Sequence, residues 1–162
     1  MIFKVSFKET EKSPSKAVQK VGKTTTVILR GVVELPAFWK HLPEEIIKWI
    51  EGRQKVEGYE NLADNTLIIY SIGVSKCNPD DKYDSLLGER LAEARAKYHI
   101  YKFFYDLTSK LYDYYNKIMF GEAEIVDTGQ GSCLERDTDK YEGLCIRESQ
   151  HIRELLASKD NG

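Results

Sequence analysis

The feature that most constrains this chain is a helical pattern that runs from about Asp84 to Phe120. Its apolar residues recur at alternating steps of four and three, which places them on one stripe of a helix. The stripe consists of Leu87, Leu91, Ala94, Tyr98, Tyr101, Tyr105, Thr108, Tyr112, Tyr115 and Met119. At 1.5 Å per residue the pattern predicts a helix of roughly 55 Å, whereas a compact chain of this size is about 40 Å across. The helix therefore either breaks near Tyr98 and His99, or projects and packs against a second copy or a partner.

Three strands are predicted from local patterns in the first half of the chain. Phe3, Val5 and Phe7 alternate with polar residues, as in a strand with one buried face. Residues 24–35 are rich in threonine and valine and predict a strand buried on both faces, and residues 66–77 predict a third strand. Residues 14–21 predict a short helix or an ordered loop that stops at Gly22.

Pro43 and the two glutamates after it predict the start of a further helix, which Gly52 closes. Residues 122–127 predict a last short strand, followed by a loop with Gly129 and Gly131 and a helix over 147–156. The predicted fold class is α+β, with a small sheet of three to four strands packed by helices, one of them long and tyrosine-rich. The 162 residues predict a single domain, with a core at 1–120 and an appended acidic segment at 121–162.

Charge is nearly balanced over the chain but unevenly placed along it. The 24 basic and 26 acidic residues, with a pI of about 6.0, argue against an all-over basic nucleic-acid-binding surface and against an acidic DNA mimic. Residues 1–30 nevertheless carry seven basic and two acidic side chains. Within them Lys16, Lys20 and Lys23 are candidate nucleic-acid-binding residues, and the alternative is a solvated loop.

Aromatic side chains are dense in the long helical pattern. Six tyrosines lie within eighteen residues, at positions 98, 101, 105, 112, 114 and 115. Tyrosine combines a large apolar area with a polar tip, which suits a surface that a partner covers. The candidate partner-binding residues are Tyr98, Tyr101, Tyr105, Tyr112 and Tyr115, and the equally supported alternative is a tyrosine-rich core. Partners would be a host or viral protein, a nucleoprotein complex, or a second copy that forms a homodimer through the long helix.

No residue pattern predicts catalysis, a metal site or a cofactor. Gly129 and Gly131 lack the third glycine of the dinucleotide fingerprint, and Cys133, Cys145 and His151 have no zinc-site spacing. No histidine lies beside a nucleophile in a strand-to-helix elbow. No window reaches about 18 consecutive apolar residues, and the first eight residues alternate instead of forming a signal peptide. The sequence therefore predicts a binding protein of the cytoplasm, without a membrane span, whose three cysteines are reduced.

The segment from Gly73 to Lys97, GVSKCNPDDKYDSLLGERLAEARAK, resembles a motif of small bacteriophage accessory proteins of unassigned function. In that motif a strand ends in a turn with Cys and Pro, an aromatic-Asp pair follows, and a helix carries Gly, Ala and Arg-Ala. The matching residues here are Cys77, Pro79, Tyr83, Asp84, Gly88, Ala92, Arg95 and Ala96. The resemblance covers about 25 of the 162 residues and implies an accessory role, such as inhibition of a host defence system in the manner of anti-CRISPR proteins. The tyrosine-rich extension and the last 40 residues depart from it.

Overall fold

Five strands and three helices form the described part of the chain. The computed structural model describes residues 3–7, 15–34, 42–53, 56–57, 66–77, 82, 84–120 and 129–160. The elements in chain order are β1 (Lys4–Ser6), β2 (Lys16–Val21), β3 (Thr24–Glu34), α1 (Glu44–Arg53), β4 (Val56–Glu57), β5 (Thr66–Lys76), α2 (Ser85–Phe120) and α3 (Gly129–Asp160). The strand predicted at 122–127 lies outside the described residues.

The strands form one antiparallel sheet with β3 at its centre. β3 pairs with β5 over its whole length, from Thr24 opposite Lys76 to Glu34 opposite Thr66. β1 and β2 pair with successive stretches of the other edge of β3, and β4 pairs with the outer edge of β5. The five strands therefore occupy four positions across the sheet, because β1 and β2 share one edge of β3. The predicted α+β class with a small sheet is confirmed.

The segment predicted as a short helix or an ordered loop is the strand β2, so that prediction is wrong. Gly22 does not end a helix but begins a two-residue hairpin turn, with a φ of +58° that suits glycine. The turn places Val21 opposite Thr24, and β2 continues along β3 to Lys16 opposite Leu29. The helical spacing of a few apolar residues is a weak local preference, and pairing with β3 overrides it.

The long helical pattern forms one continuous helix, and the chain itself supplies the partner for its stripe. α2 has 36 residues, roughly 54 Å. α3 has 32 residues and runs antiparallel along α2, since Tyr141 stacks on Phe104 and both Leu155 and Leu91 line one groove. The loop predicted around Gly129 and Gly131 is therefore wrong, because both glycines lie in α3. Packing against α2 stabilises a helix whose own apolar pattern is sparse.

The sheet has one buried face and one partly exposed face. Val27, Leu29 and Val33 point to the helices and are buried. The next residues in alternation point away, and Ile28 and its cross-strand neighbour Ile72 are 37% and 55% exposed. The expectation that residues 24–35 are buried on both faces is therefore wrong. The helices cover only one face of the sheet.

α2 lies unusually close to β5. A Cβ atom added to Gly73 would be 1.8 Å from the carbonyl oxygen of Ala92, and Ala92 and Ala96 are fully buried. The Ser71 hydroxyl donates a hydrogen bond to the Ala96 carbonyl at 2.8 Å. Small residues in both elements therefore allow this approach, which determines where the first turns of α2 lie against the end of the sheet.

α3 is part of the hydrophobic core and holds the N-terminal strand. The Asp137 carboxylate accepts a hydrogen bond from the Phe3 amide at 3.1 Å, and the Tyr141 hydroxyl donates one to the Phe3 carbonyl. Tyr141 is fully buried, and Asp137 and Phe3 are buried beside it. The acidic segment that was expected to be an appendage thus contributes to the same core as β1 and α2.

Candidate anion-binding groove

A groove of about 800 Å³ opens where the sheet, α2 and α3 meet. Its walls are the β2–β3 turn and the end of β5, the first turns of α2, and the last turns of α3. The described lining includes five cationic side chains, from Lys23, Lys76, Lys82, Arg90 and Arg95, and one carboxylate, from Asp84. The described lining of this groove therefore carries a positive net charge in a chain whose overall net charge is −2.

Hydrogen bonds join the two sheet walls of the groove to each other and join α2 to β5. The Cys77 amide donates to the Lys23 carbonyl at 3.0 Å, which joins the end of β5 to the hairpin turn. The Arg95 guanidinium donates to the Val74 carbonyl at 2.7 Å, and one turn further along α2 His99 Nδ1 donates to the Ile72 carbonyl at 3.1 Å. These two side chains cover carbonyl groups on the outer edge of β5, so this edge is protected from further strand pairing.

The one carboxylate in the described lining of the groove has a structural role. Asp84 caps α2, because its Oδ1 accepts hydrogen bonds from the amides of Leu86 and Leu87, both at 3.1 Å. No ion pair joins Lys76, Lys82 or Arg90 to another residue in the described ranges. All three side chains are exposed.

The three lysines predicted to bind nucleic acid have different environments. Lys23 lines the groove. Lys16 pairs with Glu89 at 3.2 Å and with Glu93 at 3.3 Å, and Lys20 pairs with Glu89 at 3.5 Å and hydrogen-bonds Ser85. The hydrogen bond between Lys16 and Glu89 raises the pKa of Lys16 and lowers that of Glu89. Lys16 and Lys20 therefore join β2 to α2, and only Lys23 of the three faces the groove.

The five tyrosines predicted to bind a partner are all half-buried. Tyr101, Tyr105, Tyr112 and Tyr115 pack against the core, and Tyr98 lies beside the His99 ring with centroids 6.1 Å apart. Burial raises the pKa values of Tyr101 and Tyr115. Each ring offers only part of its surface to a partner, and their partner-binding role stays a prediction.

Sequence patterns identified Lys23 and missed the other four cations. Lys76, Lys82, Arg90 and Arg95 are spread over twenty residues and three structural contexts, so no local run of charge marks them. The segment from Gly73 to Lys97, whose resemblance to phage accessory proteins stays a prediction, contributes several residues to the groove. Cys77, Asp84, Gly88 and Arg95 of that motif line the groove, while Ala92 and Ala96 pack against Gly73.

The described cysteines and histidines show no second site. Cys145 is buried, and burial raises the pKa of its thiol to about 11, which keeps it protonated and unreactive. Within the described ranges no group of three or more His, Cys, Asp or Glu residues could hold a metal ion. The described helices also include none that is long and apolar enough to cross a membrane.

Comparison with known proteins leaves the groove as the main guide to function. No protein-family model, no curated protein and no solved structure matches this chain.

Proposed function

We propose that this protein is a nucleic-acid-binding accessory protein that holds phosphate groups in the basic groove. The observation that carries the proposal is the convergence of five cations from the β2–β3 turn, β5, the β5–α2 connection and α2 on one concave surface. Phosphate contacts dominate the affinity of proteins for nucleic acids, and a concave positive surface concentrates that attraction. The nearby acidic residues Glu89 and Glu93 pair with Lys16 and Lys20, so they do not neutralise the groove.

This proposal keeps the basic N-terminal segment in the site but moves the centre of binding. Lys23 at the hairpin turn is the contribution of that segment, and the remaining cations come from residues 76 to 95. The accessory role, in a phage or another mobile element, rests on the resemblance at Gly73 to Lys97. Binding alone would suffice for such a role, and no step of chemistry is needed.

Charge reversal in the groove is expected to weaken binding and to reduce its salt dependence. Lys76→Glu with Arg90→Glu should lower the affinity for labelled DNA or RNA at least tenfold at low salt. Each lost phosphate contact should flatten the slope of log affinity against log salt by about 0.7 to 0.9. Fluorescence anisotropy over a salt series measures both quantities.

The matched control for this pair is Arg136→Glu with Lys140→Glu. Both residues are exposed on α3, far from the groove, and the substitution changes the net charge by the same amount. Binding that falls equally in both double variants would reflect net charge alone and would contradict the proposal. Equal affinity of the groove variant and the unchanged protein would contradict it as well.

A second candidate function is a protein-binding inhibitor of a host defence system, and the exposed sheet face favours it. Ile28, Ile72 and Val74 form neighbouring aliphatic positions on that face, and Val21 lies on the same face at 67% exposure. Branched aliphatic side chains that form a continuous exposed patch are typical of interaction surfaces. The proposed partner is a host or viral protein with an apolar contact surface.

Substitution on this face separates the second candidate from the first. Ile72→Lys should abolish capture of a specific host protein while nucleic-acid binding in the groove remains. The groove double variant should show the reverse. Pull-down followed by mass spectrometry, with circular dichroism to check folding, measures the difference. A captured protein that Ile72→Lys does not release would contradict this candidate.

A further inference from the structure

The groove is lined by aliphatic side chains, here called the aliphatic wall, as well as by the five cations, here called the cationic wall. Leucines from the first turns of α2 and the last turns of α3 form the aliphatic wall, namely Leu86, Leu87, Leu91, Leu155 and Leu156. Leu86 is 58% exposed and Leu156 is 38% exposed. A ligand that covered these leucines would remove apolar surface from water, which is favourable.

The combination of the two walls indicates the chemical class of the ligand. A free phosphate or a sulfate would satisfy the cations and leave the leucines exposed. A duplex keeps its bases stacked inside and presents mainly phosphates and sugars at its outer surface. A single strand offers phosphates and unstacked bases together, and bases of single-stranded regions commonly pack against side chains.

The size of the groove agrees with a single-stranded ligand. Its volume of about 800 Å³ lies within the range of roughly 300 to 1,000 Å³ that is usual for pockets holding small ligands. A stretch of one or two nucleotides is a ligand of that class, whereas a duplex is too wide to enter. Within the described lining, leucine side chains are the apolar surface available to a base.

We infer that the groove binds single-stranded nucleic acid, with phosphates on the cationic wall and one base against Leu86 and Leu156. This inference rests on the proposed function, because it assigns the form of nucleic acid that the same groove takes. Arg95 is the residue that links the walls, since it lies on α2 with the leucines and is fixed to β5 through the Val74 carbonyl.

The test compares a labelled single-stranded 10-mer with the duplex of the same sequence. Leu86→Ala with Leu156→Ala is expected to weaken binding of the single strand about tenfold and to leave its salt slope unchanged. Both side chains are partly exposed, and neither belongs to the hydrophobic core cluster. Ile146→Ala is the matched control, because Ile146 is also 58% exposed and lies on α3 outside the groove.

Each outcome separates this inference from the proposed function. Single-strand preference that the leucine variant removes supports the inference. Equal binding of both forms, or binding that the leucine variant leaves unchanged while charge reversal abolishes it, overturns the inference and leaves the proposed function intact. If neither charge reversal nor leucine removal affects binding, both fail. Binding of inorganic pyrophosphate as tightly as of the single strand would also overturn the inference.

Discussion

Gly73→Ala is expected to destabilise this protein by about 3 kcal/mol, at the upper end of the usual range for overpacking. The added methyl group would lie 1.8 Å from the Ala92 carbonyl oxygen and 2.7 Å from the Ala96 amide nitrogen. Real Cβ atoms essentially never approach other atoms within 3.0 Å, and here the neighbours are backbone atoms that cannot rotate away. α2 must therefore move from β5. Urea denaturation measures the loss as a lower midpoint at an unchanged slope.

A second glycine provides a control for which the expected change in stability has the opposite sign. Gly143 is exposed within α3, and a Cβ atom there would meet nothing within 4 Å. Gly143→Ala should therefore raise stability by about 0.5 to 1 kcal/mol, because alanine loses less backbone entropy in a helix. Equal effects of the two substitutions would contradict the close contact between α2 and β5. Gly73→Ala should also weaken ligand binding in the groove, because the groove lies between α2 and β5. Gly143→Ala should leave that binding unchanged.

Tyr141→Ala is expected to have the other large effect, a loss of about 3 to 5 kcal/mol. Tyr141 is fully buried and its ring stacks on Phe104 with centroids 5.3 Å apart. Tyr141→Phe keeps the ring and removes only the hydrogen bond to the Phe3 carbonyl, so it should cost about 1 kcal/mol. Hydrogen exchange should show faster opening of β1 in both variants. A loss in Tyr141→Phe as large as that in Tyr141→Ala would show that packing contributes little.

The pH dependence of stability offers an independent measurement at the same residue. Burial raises the pKa of Tyr141 well above its ordinary value of 10.0, so the unfolded chain loses this proton first. The contribution of this raised pKa to the free energy of unfolding is therefore complete below about pH 10, and it declines as the pH rises above that value. Tyr141→Phe should show a shallower decline than the unchanged protein. Tyr101 and Tyr115, whose pKa values are also raised, contribute equally to both curves.

Local patterns predicted the elements whose signal lies within a few neighbouring residues. Alternation around Phe3, the β-branched runs at 24–35 and 66–77, and the capped start near Pro43 all correspond to observed elements. β2 and the first half of α3 were predicted wrongly. Each is stabilised by a distant segment, β2 by pairing with β3 and α3 by packing along α2, and such contacts leave little trace in a short window of sequence.

The candidate site depends still more on distant contacts. Lys23 was identified from its basic neighbourhood, but Lys76, Lys82, Arg90 and Arg95 are isolated in the sequence. Lys16 and Lys20 were equally plausible from the sequence, yet Glu89 and Glu93 pair with them. Charge sign is a property of a residue, whereas the availability of that charge depends on what lies beside it in space.

The sequence by itself determined the α+β class, the extent of the helical pattern that forms α2 and the unequal distribution of charge, because periodicity, propensity and composition are local properties. Only the tertiary structure decided how the stripe of that helix is covered and where positive charge converges. The apolar stripe of α2 needs a packing partner of comparable length, and α3 of the same chain is that partner. The cations converge because Gly73 lets α2 approach β5 closely, so the groove arises from backbone packing and cannot be read from any run of residues.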